Sequence, residues 1–288
     1  MKSQPPARST TVTAVLLLLC LATSAGIAQV PDTTKKPTAR DSAIVDTLKK
    51  EAQQQVLRSA HQIKWYEAAG AVALIGASTV LDQPMRRYTR EHRTQTLTDL
   101  SNGFRQQGEP YYYAGISLGV WGTGVVFHSA AIQRAGRRLI VTVTAAGLMT
   151  YATKMITGRS RPNEDVGAFS FHPFTTLKDS AGIEARGSFP SGHTMAAFAV
   201  ATSLSGDIDW WPASVVLYTL ATGTAYSRIY DNRHWFSDTF AGALLGFTTA
   251  KIVNGHWRIF HLKPPGWLVT PTGAPALQWR VPLPPIRY

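Results

Sequence analysis

The chain has 288 residues, of which 44% are hydrophobic and only 16% are charged. This length and apolar content are ample for a buried core and predict one or two domains. Lys and Arg number 29 against 17 Asp and Glu, a balance that suits acidic partners such as phosphates or anionic lipid head groups. We expect no nucleic-acid partner, because the Arg residues are scattered between apolar segments and form no dense patch with interleaved aromatics.

The first 28 residues have the pattern of a secretory signal peptide. Lys2 and Arg8 precede an apolar run from Val12 to Ala22, which is short for a membrane span. Small residues at 26–28 then offer a cleavage site. An uncleaved N-terminal anchor is the alternative. Either pattern predicts export to the bacterial cell envelope.

The two flanks of the chain are predicted to lie outside the core. Within 29–64, residues 29–42 are rich in Pro, Thr and Lys and predict a solvated linker, and an apolar stripe from 43 to about 60 predicts a polar surface helix. Residues 258–288 form a Pro-rich tail. The one cysteine, Cys20, lies in the signal segment, so a cleaved chain has neither disulfides nor thiolate chemistry.

Residues 65–257 are predicted to form one helical-bundle domain. Its apolar segments are long for strands and most are rich in small residues, which let helices pack closely in membranes and in soluble bundles alike. The fold class is therefore predicted as all-α, with a bundle of about six core helices. The six segments are 65–81, 111–128, 138–156, 193–206, 211–227 and 239–254.

Hydropathy leaves open whether these helices span a membrane. Several segments have only 14 to 18 residues, and the mean hydropathy of the chain is −0.06. With an exported N-terminus, six spans would place the 157–192 loop in the cytoplasm. That loop stays outside if one segment, such as 65–81, does not span, or if the whole bundle is soluble. We expect a periplasmic active site, either embedded in the inner membrane or soluble in the periplasm.

Three polar clusters stand at the ends of apolar segments. Taken singly, each has an ordinary structural explanation: a basic helix end, a capped turn, and a surface pair one helical turn apart. Together they supply the positive donors, backbone N–H groups, nucleophile and acid that a phosphate ester requires. The clusters are Lys154 to Pro162, Pro190-Ser191-Gly192-His193, and Ser227-Arg228 to His234 and Asp238.

The first two clusters and Arg228 contain the groups that bind phosphate oxygens. Lys154 and Arg161 are two helical turns apart, so both can reach one end of a helix. Arg161 and Arg228 offer bidentate forks, and Lys154 adds a point charge. Gly192 stands at a predicted helix N-terminus, where N–H groups and the helix dipole favour an anion and no side chain blocks its approach.

The two histidines and the aspartate suit the chemical steps. A carboxylate at Asp238 can accept from one ring nitrogen of His234 and leave the other nitrogen unprotonated and directed at phosphorus. His193 is then the general acid that protonates the leaving oxygen. The same group, as a base, activates the water that breaks the phosphohistidine.

These clusters resemble the signature of the type 2 phosphatidic acid phosphatase family, whose superfamily also holds bacterial acid phosphatases and vanadium haloperoxidases. Every fixed position of the three motifs is matched in order, and the resemblance covers roughly 110–255. It implies the acid phosphatase/vanadium haloperoxidase fold and a reaction without a metal or other cofactor. It implies phosphate binding by Lys154, Arg161, Ser191, Gly192 and Arg228, and catalysis by His193, His234 and Asp238.

The resemblance implies hydrolysis of a phosphate monoester or a lipid (pyro)phosphate, such as phosphatidate, through a phosphohistidine intermediate. One alternative is a vanadium haloperoxidase, in which vanadate would be the cofactor and not an inhibitor. Another is a soluble periplasmic acid phosphatase of broad specificity. A non-enzymatic ligand-binding bundle is disfavoured, because binding alone needs no nucleophile and no acid. The sequence does not indicate the oligomeric state.

Overall fold

The computed structural model describes residues 60–177 and 185–259. The described residues all belong to the larger of two compact units, Thr47–Tyr288. The predicted signal peptide, the linker, nearly all of the polar helix and most of the Pro-rich tail lie outside the described residues. The division of the chain into those segments therefore stays a prediction.

The described residues form a helical bundle, which confirms the predicted fold class. Each of the six apolar segments is a helix in the structure, and five have bounds within about three residues of those predicted, but the third begins at Ala130, eight residues before the predicted start at 138. Two short strands, β1 (His61–Ile63) and β2 (Trp257–Ile259), pair in parallel. The helices are α1 (Trp65–Ser78), α2 (Asp82–Glu91), α3 (Gln95–Gln107), α4 (Pro110–Val126), α5 (Ala130–Thr157), α6 (Gly192–Ile208), α7 (Trp211–Tyr230) and α8 (Phe236–Val253).

The helices α2 and α3 were not among the predicted segments. They are mostly polar, and α3 is held against α7 both by the ring of Phe104, which lies against Gly223, and by hydrogen bonds. Ser101 donates to the carboxylate of Asp231, and the hydroxyls of Thr98 and Tyr230 lie 2.9 Å apart. α3 has only three large apolar residues, Leu97, Leu100 and Phe104, too few to form a long apolar segment.

The helix α6 lies at the centre of the bundle, packed against α5, α7 and α8. Its contact with α8 is so close that it tolerates no side chain at two glycines of α8. A Cβ at Gly242 would lie 2.5 Å from the carbonyl oxygen of Ser191, and one at Gly246 would lie 2.2 Å from that of Met195. The amide of Ser191 also donates to the carbonyl of Asp238 at 2.9 Å. The first turns of α6 and α8 are therefore held side by side.

The outer faces of several helices expose apolar side chains. By length and composition, α5 is the one described helix that could cross a membrane, and 22% of its apolar window is buried. Exposed apolar surface of this kind is typical of a face that contacts lipid or an apolar partner. The exposed side chains include Trp65, Val72 and Leu74 on α1, Leu118 and Val126 on α4, Leu148, Met149 and Tyr151 on α5, and Val215 and Val216 on α7.

We predict that Gly246→Ala destabilises the bundle, because the added methyl group collides with the backbone of α6 and forces it away from α8. The expected loss is about 1–3 kcal/mol of unfolding free energy, measured as a lower midpoint of thermal unfolding. Gly147→Ala is the matched control, since a Cβ there meets nothing within 4 Å. Equal midpoints for the two variants would contradict the close contact.

Candidate active site

The predicted site residues lie where four helices meet, at the ends of α5 and α7 and the beginnings of α6 and α8. Their charges act on one another: the cations of Lys154, Arg161 and Arg228 all lower the pKa of His193 and that of His234. Lys154 lies in the last turn of α5, Arg161 in the loop after it, Ser191, Gly192 and His193 at the start of α6, Arg228 in the last turn of α7, His234 just before α8, and Asp238 in its first turn.

The ring of His234 is buried, with a side-chain exposure of 3%, and its orientation is determined by one hydrogen bond. Its Nδ1 lies 2.7 Å from the carbonyl oxygen of Ser188. A carbonyl can only accept, so Nδ1 carries the hydrogen and Nε2 is the unprotonated nitrogen. Burial, followed by the charges of Arg161, Lys154 and Arg228, holds the pKa of His234 well below its usual value. The imidazole is therefore neutral at neutral pH.

Asp238 does not accept the hydrogen bond from His234 that the spacing predicts. Its Oδ2 lies 3.7 Å from Nδ1 of His234, because the carboxylate folds back onto the start of its own helix. There it accepts from the amide of Trp235 at 2.9 Å and from the hydroxyl of Ser188 at 2.5 Å. Asp238 thus acts on His234 through Ser188, whose hydroxyl binds the carboxylate and whose carbonyl binds the ring.

His193 lies at the second position of α6, and its side chain is about three-quarters buried. Its Nε2 makes no hydrogen bond among the described residues and lies 3.6 Å from a carboxylate oxygen of Glu109. Burial, then the nearby positive charges, lowers the pKa of His193 to about 3. A bound phosphate dianion would offset those charges and so raise the pKa of His193.

Two buried arginines contribute positive charge to the site. Arg228 is 4% exposed and donates from Nη2 to Asp231 at 2.5 Å, while Arg161 is 7% exposed and donates from Nη1 to the carbonyl of Arg233. Lys154 is half-buried at the end of α5. Three cations around one buried imidazole create a strong local preference for an anion.

The two helix N-termini at the site have different occupants. At α8, the amide of Ser237 donates to Asp82 at 2.8 Å and that of Trp235 donates to Asp238, so carboxylates of the protein satisfy this end. At α6, Ser191 is the N-cap and its hydroxyl accepts from Thr194. The first-turn amides of α6, which include those of Gly192 and His193, have no acceptor within the helix and suit phosphate oxygens.

Several residues that shape the site were not identified from the sequence. Glu109 and Gly108 come from the α3–α4 junction, and a Cβ at Gly108 would lie 2.8 Å from the ring of His193. Arg159 donates to the carboxylate of Asp238, and Asp82 accepts from Arg159 on the side away from His234. Arg159 lies between Lys154 and Arg161 of the first motif, so its position and charge could have identified it as a site residue. Asp82 is distant in sequence, and no local pattern marks it.

His172 lies in the loop that follows α5. Part of that loop, residues 178–184, lies outside the described residues. The amide of His172 donates to the carbonyl of Gly158 at 3.1 Å, and its Nε2 lies 3.2 Å from the hydroxyl of Ser170. These contacts fold the loop on itself.

Among residues 60–177 and 185–259, no group of three or more His, Cys, Asp or Glu side chains is placed to hold a metal ion. The reaction without metal or other cofactor that the resemblance implies stays a prediction.

Comparison with known proteins identifies similar phosphatases. The PAP2 superfamily matches residues 135–259, a range that contains all eight predicted site residues. The chain is 43% identical over 77 residues to a lipid A 1-phosphatase of Porphyromonas gingivalis, covering 25% of this chain and 16% of that protein. It is 38% identical over 97 residues to an acid phosphatase of Zymomonas mobilis, covering 34% of each. These matches therefore span a third or less of the relatives' lengths.

A solved structure supports the fold assignment. It is the first transmembrane PAP2 type phosphatidylglycerolphosphate phosphatase from Bacillus subtilis. The TM-score is 0.51 at 18% identity, and the match covers 66% of this chain and 95% of that one. At this level of identity the likeness concerns the fold alone.

We predict that His234 stays neutral, with its hydrogen on Nδ1, as the pH falls through about 6.5, the usual histidine value. As the pH falls below about 6.5, the unfolded chain protonates this histidine before the folded chain does. The free energy of unfolding therefore decreases until the pH reaches the pKa of His234 in the folded protein. Nitrogen NMR of histidine-labelled protein gives both protonation and tautomer, and His234→Ala assigns the signal. A midpoint at or above 6.5, or hydrogen on Nε2, would contradict the assignment.

Proposed function

We propose that the protein is a phosphatase that acts through a phosphohistidine on His234, and the match of the PAP2 superfamily to residues 135–259 supports this proposal. The proposed substrate is a phosphate monoester or lipid (pyro)phosphate, such as phosphatidate. The observation that carries the proposal is the hydrogen bond from Nδ1 of His234 to Ser188. It leaves Nε2 as an unprotonated nucleophile in a buried site with three cations.

In the first step, Nε2 of His234 attacks phosphorus and the bond from phosphorus to the ester oxygen breaks. The phosphoryl oxygens are held by Lys154, Arg161, Arg228 and the amides at the start of α6, which stabilise the charge that spreads over them in the transition state. The leaving oxygen takes a proton from His193. The products of this step are a free alcohol, or a shorter phosphate when the substrate is a pyrophosphate, and a phosphohistidine.

In the second step, His193 is neutral and acts as a base. It takes a proton from a water molecule as the water oxygen attacks phosphorus, and the bond from phosphorus to Nε2 breaks. Inorganic phosphate leaves, and His234 returns to its neutral form. The overall balance is one ester and one water converted to one alcohol and one phosphate.

The proposed setting is the periplasmic side of a bacterial membrane. The exposed apolar faces of α1, α4, α5 and α7 support contact with lipid, and an amphiphilic substrate would reach the site from such a surface. The names of two relatives, a lipid A 1-phosphatase and an acid phosphatase, support phosphate ester hydrolysis on lipid and on small substrates respectively. A soluble periplasmic acid phosphatase is therefore the second candidate.

We predict that His234→Ala reduces phosphate release below about 1% of wild type, because the substitution removes the proposed nucleophile. The assay uses para-nitrophenyl phosphate and phosphatidate on washed membranes and on the soluble fraction. His92→Ala, at an exposed histidine, is the matched control and should keep wild-type activity. Activity in His234→Ala well above that level would contradict the nucleophile.

The same preparation separates the alternatives. Vanadate should compete with substrate, since it would occupy the phosphate position among the three cations. Activity confined to membranes that favours phosphatidate supports the lipid phosphatase, and soluble activity on the small ester supports the acid phosphatase. Bromide oxidation with added vanadate, in place of phosphate release, would contradict both and indicate a haloperoxidase.

A further inference from the structure

We propose that Arg159 and Asp82 are positioning residues for His234, so that the catalytic unit extends beyond the matched segment to the helix α2. This inference rests on the proposed phosphatase function and deepens it. Arg159 lies within the first motif but is not one of its fixed positions, and Asp82 precedes the segment that matches the superfamily. The two side chains form a buried charged pair behind the site, which we call the rear pair.

Arg159 binds both carboxylates that lie behind His234. Its Nη1 donates to Asp238 at 2.5 Å and to the hydroxyl of Ser237 at 2.8 Å, and its Nη2 donates to Asp82 at 2.6 Å. Its Nε donates to the carbonyl of Ala168 at 2.9 Å. The residue is 1% exposed, so these contacts replace water completely. Fork-like donation to two carboxylates needs the planar guanidinium and is not available to lysine.

The main chain of Arg159 holds the other partner of His234. Its carbonyl accepts from the amides of Gly187 and Ser188, both at 2.9 Å. Ser188 then presents its carbonyl to Nδ1 of His234 and its hydroxyl to Asp238. One residue therefore supports the ring through two routes, the Ser188 backbone and the Asp238 carboxylate. A shift of Arg159 would move the nitrogen that attacks phosphorus.

Asp82 completes this arrangement from the first position of α2. It is 1% exposed and accepts from the amide of Ser237 at 2.8 Å, from its hydroxyl at 2.8 Å, and from Arg159. Asp82 thereby caps the N-terminus of α8 from another helix. Asp238 lies in that same first turn. A displacement of Asp82 would therefore displace Asp238, because Ser237 and Arg159 link the two residues.

The charges of the rear pair and Asp238 also suit the chemistry. Burial raises the pKa of Asp82 and of Asp238, and the charge of Arg159 opposes that rise. With both carboxylates ionised, one guanidinium between them leaves a net charge of −1 behind a ring that becomes positively charged when Nε2 bonds to phosphorus. Arg161, two residues after Arg159 in the same loop, donates to the carbonyl of Arg233, and Arg228 donates to Asp231, so neither of these bonds involves the rear pair. Removing the charge of Asp82 should therefore lower kcat while leaving ground-state phosphate binding nearly unchanged.

The experiment measures kcat, KM and the inhibition constant of vanadate for Asp82→Asn and Arg159→Lys, with para-nitrophenyl phosphate as substrate. Asp82→Asn keeps the shape and removes the charge, and Arg159→Lys keeps the charge and removes the fork. We expect kcat to fall at least about tenfold in each, with KM and the vanadate constant within about threefold of wild type. Asp99→Asn, at an exposed site on α3, is the matched control and should change none of them.

The outcomes separate this inference from the proposed function. Suppose that wild type is active, that His234→Ala is inactive, and that kcat in Asp82→Asn or Arg159→Lys is within twofold of wild type. This result would overturn the positioning role of the rear pair and leave the proposed phosphatase function intact. A parallel loss of vanadate binding would also overturn it, because a general structural defect would then explain the lost rate. If Asp82→Asn shows no unfolding transition, it is not folded, and the kinetics of Arg159→Lys alone then test the positioning role. Loss of folding in both variants would overturn a specific action on His234.

Discussion

The hydrogen bond from Nδ1 of His234 to the carbonyl of Ser188 is the interaction on which the site depends. A buried imidazole beside three cations is stable only in its neutral form, because a fourth positive charge in that space would be unfavourable. The carbonyl then selects which neutral tautomer forms, since it can only accept. A nucleophile that is neutral and has the correct tautomer before substrate arrives needs no reorganisation during the reaction.

Close helix packing makes that hydrogen bond geometrically available. Gly242 and Gly246 bring α8 against the backbone of α6, so that two helix N-termini lie side by side. One of them is satisfied internally by Asp82 and Asp238 and serves as a rigid support. The other keeps its first-turn amides available for phosphate. A helix N-terminus thus serves as a rigid support where a carboxylate of the protein already binds it, as in α8, and as a phosphate-binding group where none does, as in α6.

The apolar segments and the motif residues could be predicted from the sequence, for different physical reasons. Long runs of apolar and small residues predict helices, and all six appear in the structure. The motif positions were identified by residue type and spacing, and the structure brings them together. Asp238 shows where spacing is insufficient. A separation of four residues predicts a direct contact with His234, but residue 238 lies at the third position of α8, where the helix N-terminus attracts its carboxylate.

The residues that the sequence did not indicate share one property: each acts through long-range tertiary contact. Asp82 meets Arg159 across 77 positions of the chain, and Ser188 meets His234 across 46. Helices α2 and α3 are mostly polar and contain no long apolar segment. Glu109 approaches His193 only because α4 begins beside α6. No local pattern in a single sequence carries such information.

The central claim is covalent attack by His234, and trapping the intermediate tests it most directly. The enzyme is mixed with a substrate carrying labelled phosphate, quenched in alkali during turnover, digested, and mapped by mass spectrometry. The account predicts label on Nε2 of His234, and none in His234→Ala. Full turnover with the label on another residue, or with no covalent label at any quench time, would contradict it.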